Sequence, residues 1–159
     1  MPQVKFKPVR VVASVILIVT GLYVLCVIGL TMGQRKLLYH PCKSSVSKLQ
    51  ARAREAGFEH WVDSAGETVG WFRLSASSKA PRKILLLHGN EGCAPDWFHY
   101  AEGFQAVEPV DFYILEYPGY GGRKGKLTQS NILAAANAAF KSIPGGAPVF
   151  LVGESLGTE

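Results

Sequence analysis

The chain has 159 residues, 48% of them hydrophobic and 18% charged, with a net charge of +5 from 17 Lys and Arg against 12 Asp and Glu. That balance excludes a disordered chain, and 17 Gly and nine Pro without a repeat exclude collagen-like and low-complexity classes. The three cysteines, at 26, 42 and 93, are too few for a disulfide scaffold and lack the CxxC spacing of a metal knuckle.

The charge is unevenly spread. Residues 1–54 hold nine basic side chains and no acid, while the remainder holds eight basic and twelve acidic ones. A nucleic-acid domain carries its basic stripe on the folded body, with aromatics interleaved, and nothing after residue 54 has that form. The basic end therefore points to a lipid bilayer, not to nucleic acid.

Residues 1–10 read as an N-terminal tail and 11–30 as a transmembrane anchor. Val11 to Leu30 carries no charge, and thirteen of its twenty residues are Val, Ile or Leu. A helix of that length spans about 30 Å, the thickness of the hydrocarbon core. The thirteen aliphatic side chains favour insertion by about 4–8 kcal/mol. Lys5, Lys7 and Arg10 flank one end, and Arg35 and Lys36 the other. A cleaved signal peptide has a shorter apolar region and a small-x-small site, and TMGQRKLLYHP offers none. The expected product is a single-pass signal anchor. Basic residues on the two sides do not decide its orientation, but a short N-terminal tail is commonly left in the cytoplasm, which puts the body outside.

Residues 31–57 read as a juxtamembrane linker with a short helix. Ser47 and Gln50 have capping-box spacing for a helix from Lys48 to Ala56, stopped by Gly57. Residues 58–159 form the body. Phe58 to Asp63 and Thr68 to Leu74, joined by SAGE, predict a β-hairpin, and Ser75 to Pro81 a small-residue loop. Lys83 to Leu87, Asp111 to Tyr117 and Pro148 to Val152 are short apolar runs, the pattern of strands buried on both faces. Between them, Pro95 and Asp96 open a helix to about Val107, with Trp97, Ala101 and Phe104 on one stripe. Thr128 caps a second helix with Ile132, Leu133, Ala136, Phe140 and Ile143 on its apolar face. Strand, helix, strand, helix, strand implies a parallel sheet.

Ligands of such a sheet bind at the carboxyl ends of its strands. Three motifs fall there: His88-Gly89-Asn90-Glu91-Gly92, Tyr117-Pro118-Gly119-Tyr120-Gly121-Gly122 and Gly153-Glu154-Ser155-Leu156-Gly157. The last is G-x-S-x-G directly after a strand. A sharp strand-to-helix turn forces Ser155 into a strained conformation, and Gly153 and Gly157 let neighbouring backbone pack close. Ser155 is then a nucleophile standing above the sheet. The Leu156 N–H is one oxyanion donor, and Asn90 N–H, with Glu91 as an alternative, is the second.

Phe58 to Glu159, about two thirds of the chain, resembles the N-terminal half of an α/β-hydrolase, with LLLHGNEG, LEYPGYGG and LVGESLGT as its landmarks. The anchor followed by RKLLYHP resembles the membrane-anchored, serine-peptidase-like subgroup. The fold implied is α/β, a hairpin plus three parallel strands with crossover helices behind one transmembrane helix. The activity implied is a serine hydrolase acting on ester, thioester or amide bonds of a small-molecule ester, lipid or peptide, with no cofactor and no metal. The resemblance also makes His88 a residue that holds its turn. It departs from this sequence at one point. The order Ser, Asp or Glu, His needs a later acid and base, and only Leu156 to Glu159 follow Ser155. The expectation is a chain cut off after its nucleophile and inactive alone; the alternative is a truncated membrane protein with a binding role or none.

The remaining polar candidates have plainer readings. His40, His60 and His99 read as surface or interface residues, and Glu116 and Glu154 as solvent-facing or loop-bonded. Cys93 reads as a buried small hydrophobe, since no basic partner is evident. GYGGRKGKL is no phosphate loop, because the Walker pattern needs Gly at Tyr120 and Ser or Thr at Leu127. It reads as a bend.

Overall fold

A computed structural model describes residues 8–77 and 82–158. Lys5 and Lys7, the end of the predicted loop at 78–81 and Glu159 lie outside the described residues, as does the side chain of Arg35. The chain divides into two compact units, Met1–Leu38 and Tyr39–Glu159.

Over its described residues the first unit is one helix, α1 (Pro8–Leu38). It runs past both ends of the predicted span, through RKLL, for about 46 Å. Its segment Val9–Gln34 has a mean hydropathy of 2.8 and is long and apolar enough to cross a membrane. The hydroxyls of Ser14 and Thr31 donate to the carbonyls of Arg10 (2.9 Å) and Val27 (2.7 Å). Polar groups satisfied within the helix lower the penalty of placing them in lipid.

The second unit begins with β1 (His40–Pro41), α2 (Val46–Glu55), β2 (Glu59–Val62) and β3 (Thr68–Arg73). It continues with β4 (Arg82–Leu87), β5 (Glu91–Gly92), a 3₁₀ turn (Ala94–Trp97), α3 (His99–Val107) and β6 (Val110–Leu115). It ends with α4 (Gln129–Ser142), β7 (Val149–Gly153) and a 3₁₀ turn (Ser155–Thr158). The main sheet has the order β2-β3-β6-β4-β7. The hairpin β2–β3 is antiparallel and joins β6 antiparallel, whereas β6, β4 and β7 are parallel.

Side chains alternate between the two faces with the period of two that a strand imposes. Ile84, Leu86, Phe112 and Ile114 pack on one face with Leu49, Phe58, Trp71, Phe98 and Ala101. Leu85, Tyr113 and Leu115 pack on the other with Trp61, Val69, Tyr117, Tyr120, Ala135 and Ala139. The central strands are thus buried on both sides, as their continuous apolar runs require.

Several local expectations are corrected. Helix α2 starts two residues early, with Ser45 at its N-cap position, and the Ser47–Gln50 capping box does not form. Gln50 Nε2 instead meets His60 Nδ1 at 3.0 Å, so a long-range partner outcompetes the local cap. Gly57 does stop the helix, at φ +72°. The predicted helix from Pro95 splits into the 3₁₀ turn and α3. Thr128 caps α4, accepting from Asn131 N, but the helix buries Ala135, Ala139 and the adjoining Ile143. Leu133 and Phe140 are 58% and 44% exposed. Small alanines at i and i+4 let the helix backbone approach the sheet, and the expected Ile132 and Ala136 pack, partly buried, against the same core. β7 is not a buried strand: Phe150 and Leu151 are 49% and 60% exposed. It pairs with β4 along one side and, among the described residues, forms a sheet edge.

The cysteine reading also changes. Cys93 is bonded to Cys42, with their Cα atoms 5.4 Å apart across 51 residues of sequence. One disulfide tie is present where none was expected, and Cys26 is free.

Candidate active site

The three motifs meet at the carboxyl end of the parallel strands. At the end of β7, Ser155 has φ +51°, the one non-glycine residue in the left-handed region among the described residues. Such a conformation costs about 1–3 kcal/mol and persists only where its surroundings enforce it. The surroundings here are backbone. Glu154 N donates to Leu87 O (3.0 Å), Gly157 N to Glu154 O (2.9 Å), and the Thr158 hydroxyl to Ser155 O (2.6 Å). A Cβ at Gly153 would fall on the Gly157 carbonyl, and one at Gly157 on the Leu87 carbonyl. Ser155 is exposed and Leu156 half-buried. The predicted helix after the turn is, over the described residues, the 3₁₀ segment.

Asn90 lies in the loop after β4, half-buried. Its neighbour Gly89 faces Glu154, with the position of a Gly89 Cβ 3.4 Å from Glu154 Oε1, so this loop lies against the turn that carries Ser155. The Tyr120 hydroxyl donates to Asn90 O (2.7 Å) and meets Asn90 Oδ1 at 3.1 Å. Burial pushes the Tyr120 phenol up to about 12, so it stays a proton donor at neutral pH. Glu91, the alternative donor, is exposed and paired with His40 in the β1–β5 ladder.

The acidic and imidazole side chains take structural positions. Glu154 Oε2 accepts from Trp97 Nε1 and Tyr100 OH, both at 2.7 Å, which makes it loop-bonded. Glu116 is fully buried, so the solvent-facing alternative is wrong for it. Its carboxylate accepts from Ala94 N at 3.2 and 3.3 Å. His88 is fully buried between Trp97 and Tyr117, with ring centroids 4.8 and 4.2 Å away. Its Nδ1 meets Gly89 O at 2.7 Å, and its Nε2 lies 3.7 Å from Glu116 Oε1. His60 is half-buried between Gln50 and Thr68, and that burial lowers its pKa. His40 and His99 are exposed. The Ser155 hydroxyl has no hydrogen-bond partner among the described residues.

Sequence reasoning missed the Tyr120–Asn90 bond, the Cys42–Cys93 bond and the role of Arg123. That guanidinium donates to Val69 O (3.1 Å) and Glu116 O (2.5 Å) inside the predicted bend. An aromatic and an arginine set among glycines at a strand end are the signal that could have found two of the three. No cluster of three or more His, Cys, Asp or Glu suited to a metal occurs among the described residues. A cavity of about 300 Å³ adjoins the Ser155 turn, lined by Leu87, Tyr117, Ile132, Leu133, Leu156 and Gly157 among others.

No protein-family model matches the chain. It is 28% identical over 161 residues to the uncharacterized protein Rv2307c of Mycobacterium tuberculosis, covering 95% of this chain and 54% of that protein. The chain thus spans about half the length of that curated relative. The structure of Aspergillus niger epoxide hydrolase aligns with a TM-score of 0.51 at 19% identity, covering 81% of this chain and 35% of that one. A membrane phospholipase A, described as a novel bacterial virulence factor, aligns with a TM-score of 0.46 at 21% identity, over 91% of this chain and 44% of that one. The first structural likeness, with the sheet order above, shows an α/β-hydrolase-like fold.

Proposed function

We propose that this chain carries the nucleophile and the oxyanion hole of a membrane-anchored serine hydrolase that acts on ester, thioester or amide bonds. The observation that carries the reading is Ser155 at φ +51°, set between two glycines that have no room for a Cβ. Ser155 Oγ attacks the substrate carbonyl and loses its proton to a base. The Leu156 and Asn90 N–H groups donate to the oxygen as it gains charge. The tetrahedral intermediate then expels the alcohol, thiol or amine, and water releases the acyl group. In the resembled order the base and its orienting carboxylate follow Ser155 in sequence. His88 is too deeply packed to serve as that base. The apolar cavity beside Leu156 suits the apolar part of a substrate.

The test is a fluorophosphonate probe on the protein expressed from its full reading frame in detergent. Labelling is expected in the wild type and absent in Ser155→Ala, with ester turnover lowered at least about 10⁴-fold. Equal labelling of both proteins would remove Ser155 as nucleophile. A second reading, a membrane protein with a binding role and no turnover, draws on the unpartnered Ser155 hydroxyl. It predicts that neither protein is labelled.

The anchor and the disulfide together support a body outside the cytoplasm, because structural disulfides persist in oxidising compartments. Protease added to intact spheroplasts is expected to digest the body and leave a protected fragment the size of the tail and anchor. A body that resists until the membrane is lysed would reverse the orientation.

A further inference from the structure

We propose that the Cys42–Cys93 disulfide and the Tyr120 hydroxyl are positioning groups that hold the Asn90 N–H in place as an oxyanion donor. This rests on the reading of Ser155 as nucleophile. An oxyanion donor works only if it is fixed about 2.7–3.1 Å from the place where the charge develops, before the charge appears. The loop from His88 to Cys93 is fixed along its whole length, and the ties reach it from distant parts of the chain.

At its start, the Tyr117 hydroxyl donates to His88 O at 2.8 Å, and the His88 ring is packed between aromatic rings. In its middle, the Tyr120 hydroxyl donates to the Asn90 carbonyl, which lies one residue from the elbow-facing Gly89. At its end, Glu91 and Gly92 pair in parallel with His40 and Pro41, and Cys42 N donates to Gly92 O at 3.0 Å. The next residue, Cys93, is bonded covalently to Cys42 and is itself buried. A two-residue parallel ladder is a weak element on its own. The disulfide turns it into a fixed anchor three residues from Asn90. Tyr120 is held in turn, fully buried in the core of the opposite sheet face. The N–H of Asn90 is thereby fixed from both sides by groups that do not themselves touch substrate.

The test uses protein from the full reading frame in detergent, with Tyr120→Phe and a Cys42→Ser/Cys93→Ser double variant. Active sites are first counted by fluorophosphonate titration, and turnover of a short-chain p-nitrophenyl ester is then expressed per titrated site. Loss of an oxyanion contact acts on the transition state and not on substrate binding. Each variant is therefore expected to lower kcat per titrated site by about tenfold or more, with KM within about twofold of wild type. Dithiothreitol should do the same to the wild type. Its two thiols pass two electrons and two protons to the Cys42–Cys93 bond, leaving two cysteine thiols and oxidised cyclic dithiothreitol. Reoxidation should restore the rate, and the double variant should not respond to dithiothreitol. A merely structural role would lower the number of titrated sites and leave kcat per site unchanged, and that result overturns the proposal. If the double variant does not fold, Tyr120→Phe and the reversible reduction decide the matter. A wild type with no label at Ser155 overturns the nucleophile reading and this proposal with it; a labelled wild type with unaffected variants overturns this proposal alone.

Discussion

Gly157→Ala is expected to abolish fluorophosphonate labelling of Ser155 and to destabilise the body by about 3 kcal/mol or more. The added Cβ would land on the carbonyl of Leu87, which cannot step aside. That oxygen accepts from Glu154 N at 3.0 Å, and Leu87 pairs with Gly153 in the β4–β7 ladder. Relief requires either the Ser155 turn to open or the end of β7 to lift off β4. Either movement takes the hydroxyl away from the loop that carries Asn90. Gly145→Ala is the matched control, since nothing lies within 4 Å of its Cβ position and its φ is not in the left-handed region. It should change stability by less than about 0.5 kcal/mol. Thermal melts of the two variants in detergent, run beside labelling rates, make the comparison. If Gly157→Ala melts and labels like Gly145→Ala, the elbow is not the strained, close-packed turn described above.

The elements legible in the sequence were those set by local pattern. Lys83 to Leu87 and Asp111 to Tyr117 could be read as buried strands because each is a short unbroken apolar run, and the SAGE turn placed the hairpin between two β-rich segments. The sharp turn at GESLG was legible because its glycines answer a backbone requirement that the spacing alone expresses. What failed depended on partners far away in sequence. Ser47 and Gln50 have capping spacing, but Gln50 meets His60. Cys93 reads locally as a buried small hydrophobe, and the cysteine that bonds it, Cys42, is 51 residues away. On α4 the expected Ile132, Ala136 and Ile143 do pack against the core, but hydropathy also ranks Leu133 and Phe140 above Ala135 and Ala139, which the sheet takes in their place. Pro148 to Val152 has the composition of a central strand, yet burial depends on what covers it, and a strand's own residues do not encode that.

Glu116 shows the same limit and carries the second large effect. Glu116→Ala is expected to destabilise the body by about 3–5 kcal/mol, lowering Tm by more than about 10 °C. The side chain is fully buried at the end of β6. Its carboxylate accepts the Ala94 N–H, and the backbone of Gly121 packs directly on it. The Arg123 guanidinium, whose pKa burial lowers, is supported by the charge of Glu116 and then of Asp63. Truncation leaves a buried N–H without an acceptor, a partly buried cation without the charge that supports it most, and a void under Gly121. Glu116→Gln separates these terms. It keeps an acceptor for Ala94 N and most of the volume and loses only the charge, so about 1–2 kcal/mol is expected. The larger loss should extend to the site, because Ala94 directly follows Cys93 and Tyr120 lies on the bend that Glu116 supports. Glu116→Ala should therefore also slow labelling of Ser155 at temperatures where the variant is folded, and Glu116→Gln much less so. A Glu116→Ala protein that melts within about 2 °C of wild type would mean that the bend and the Ala94 turn are held by their backbone bonds alone.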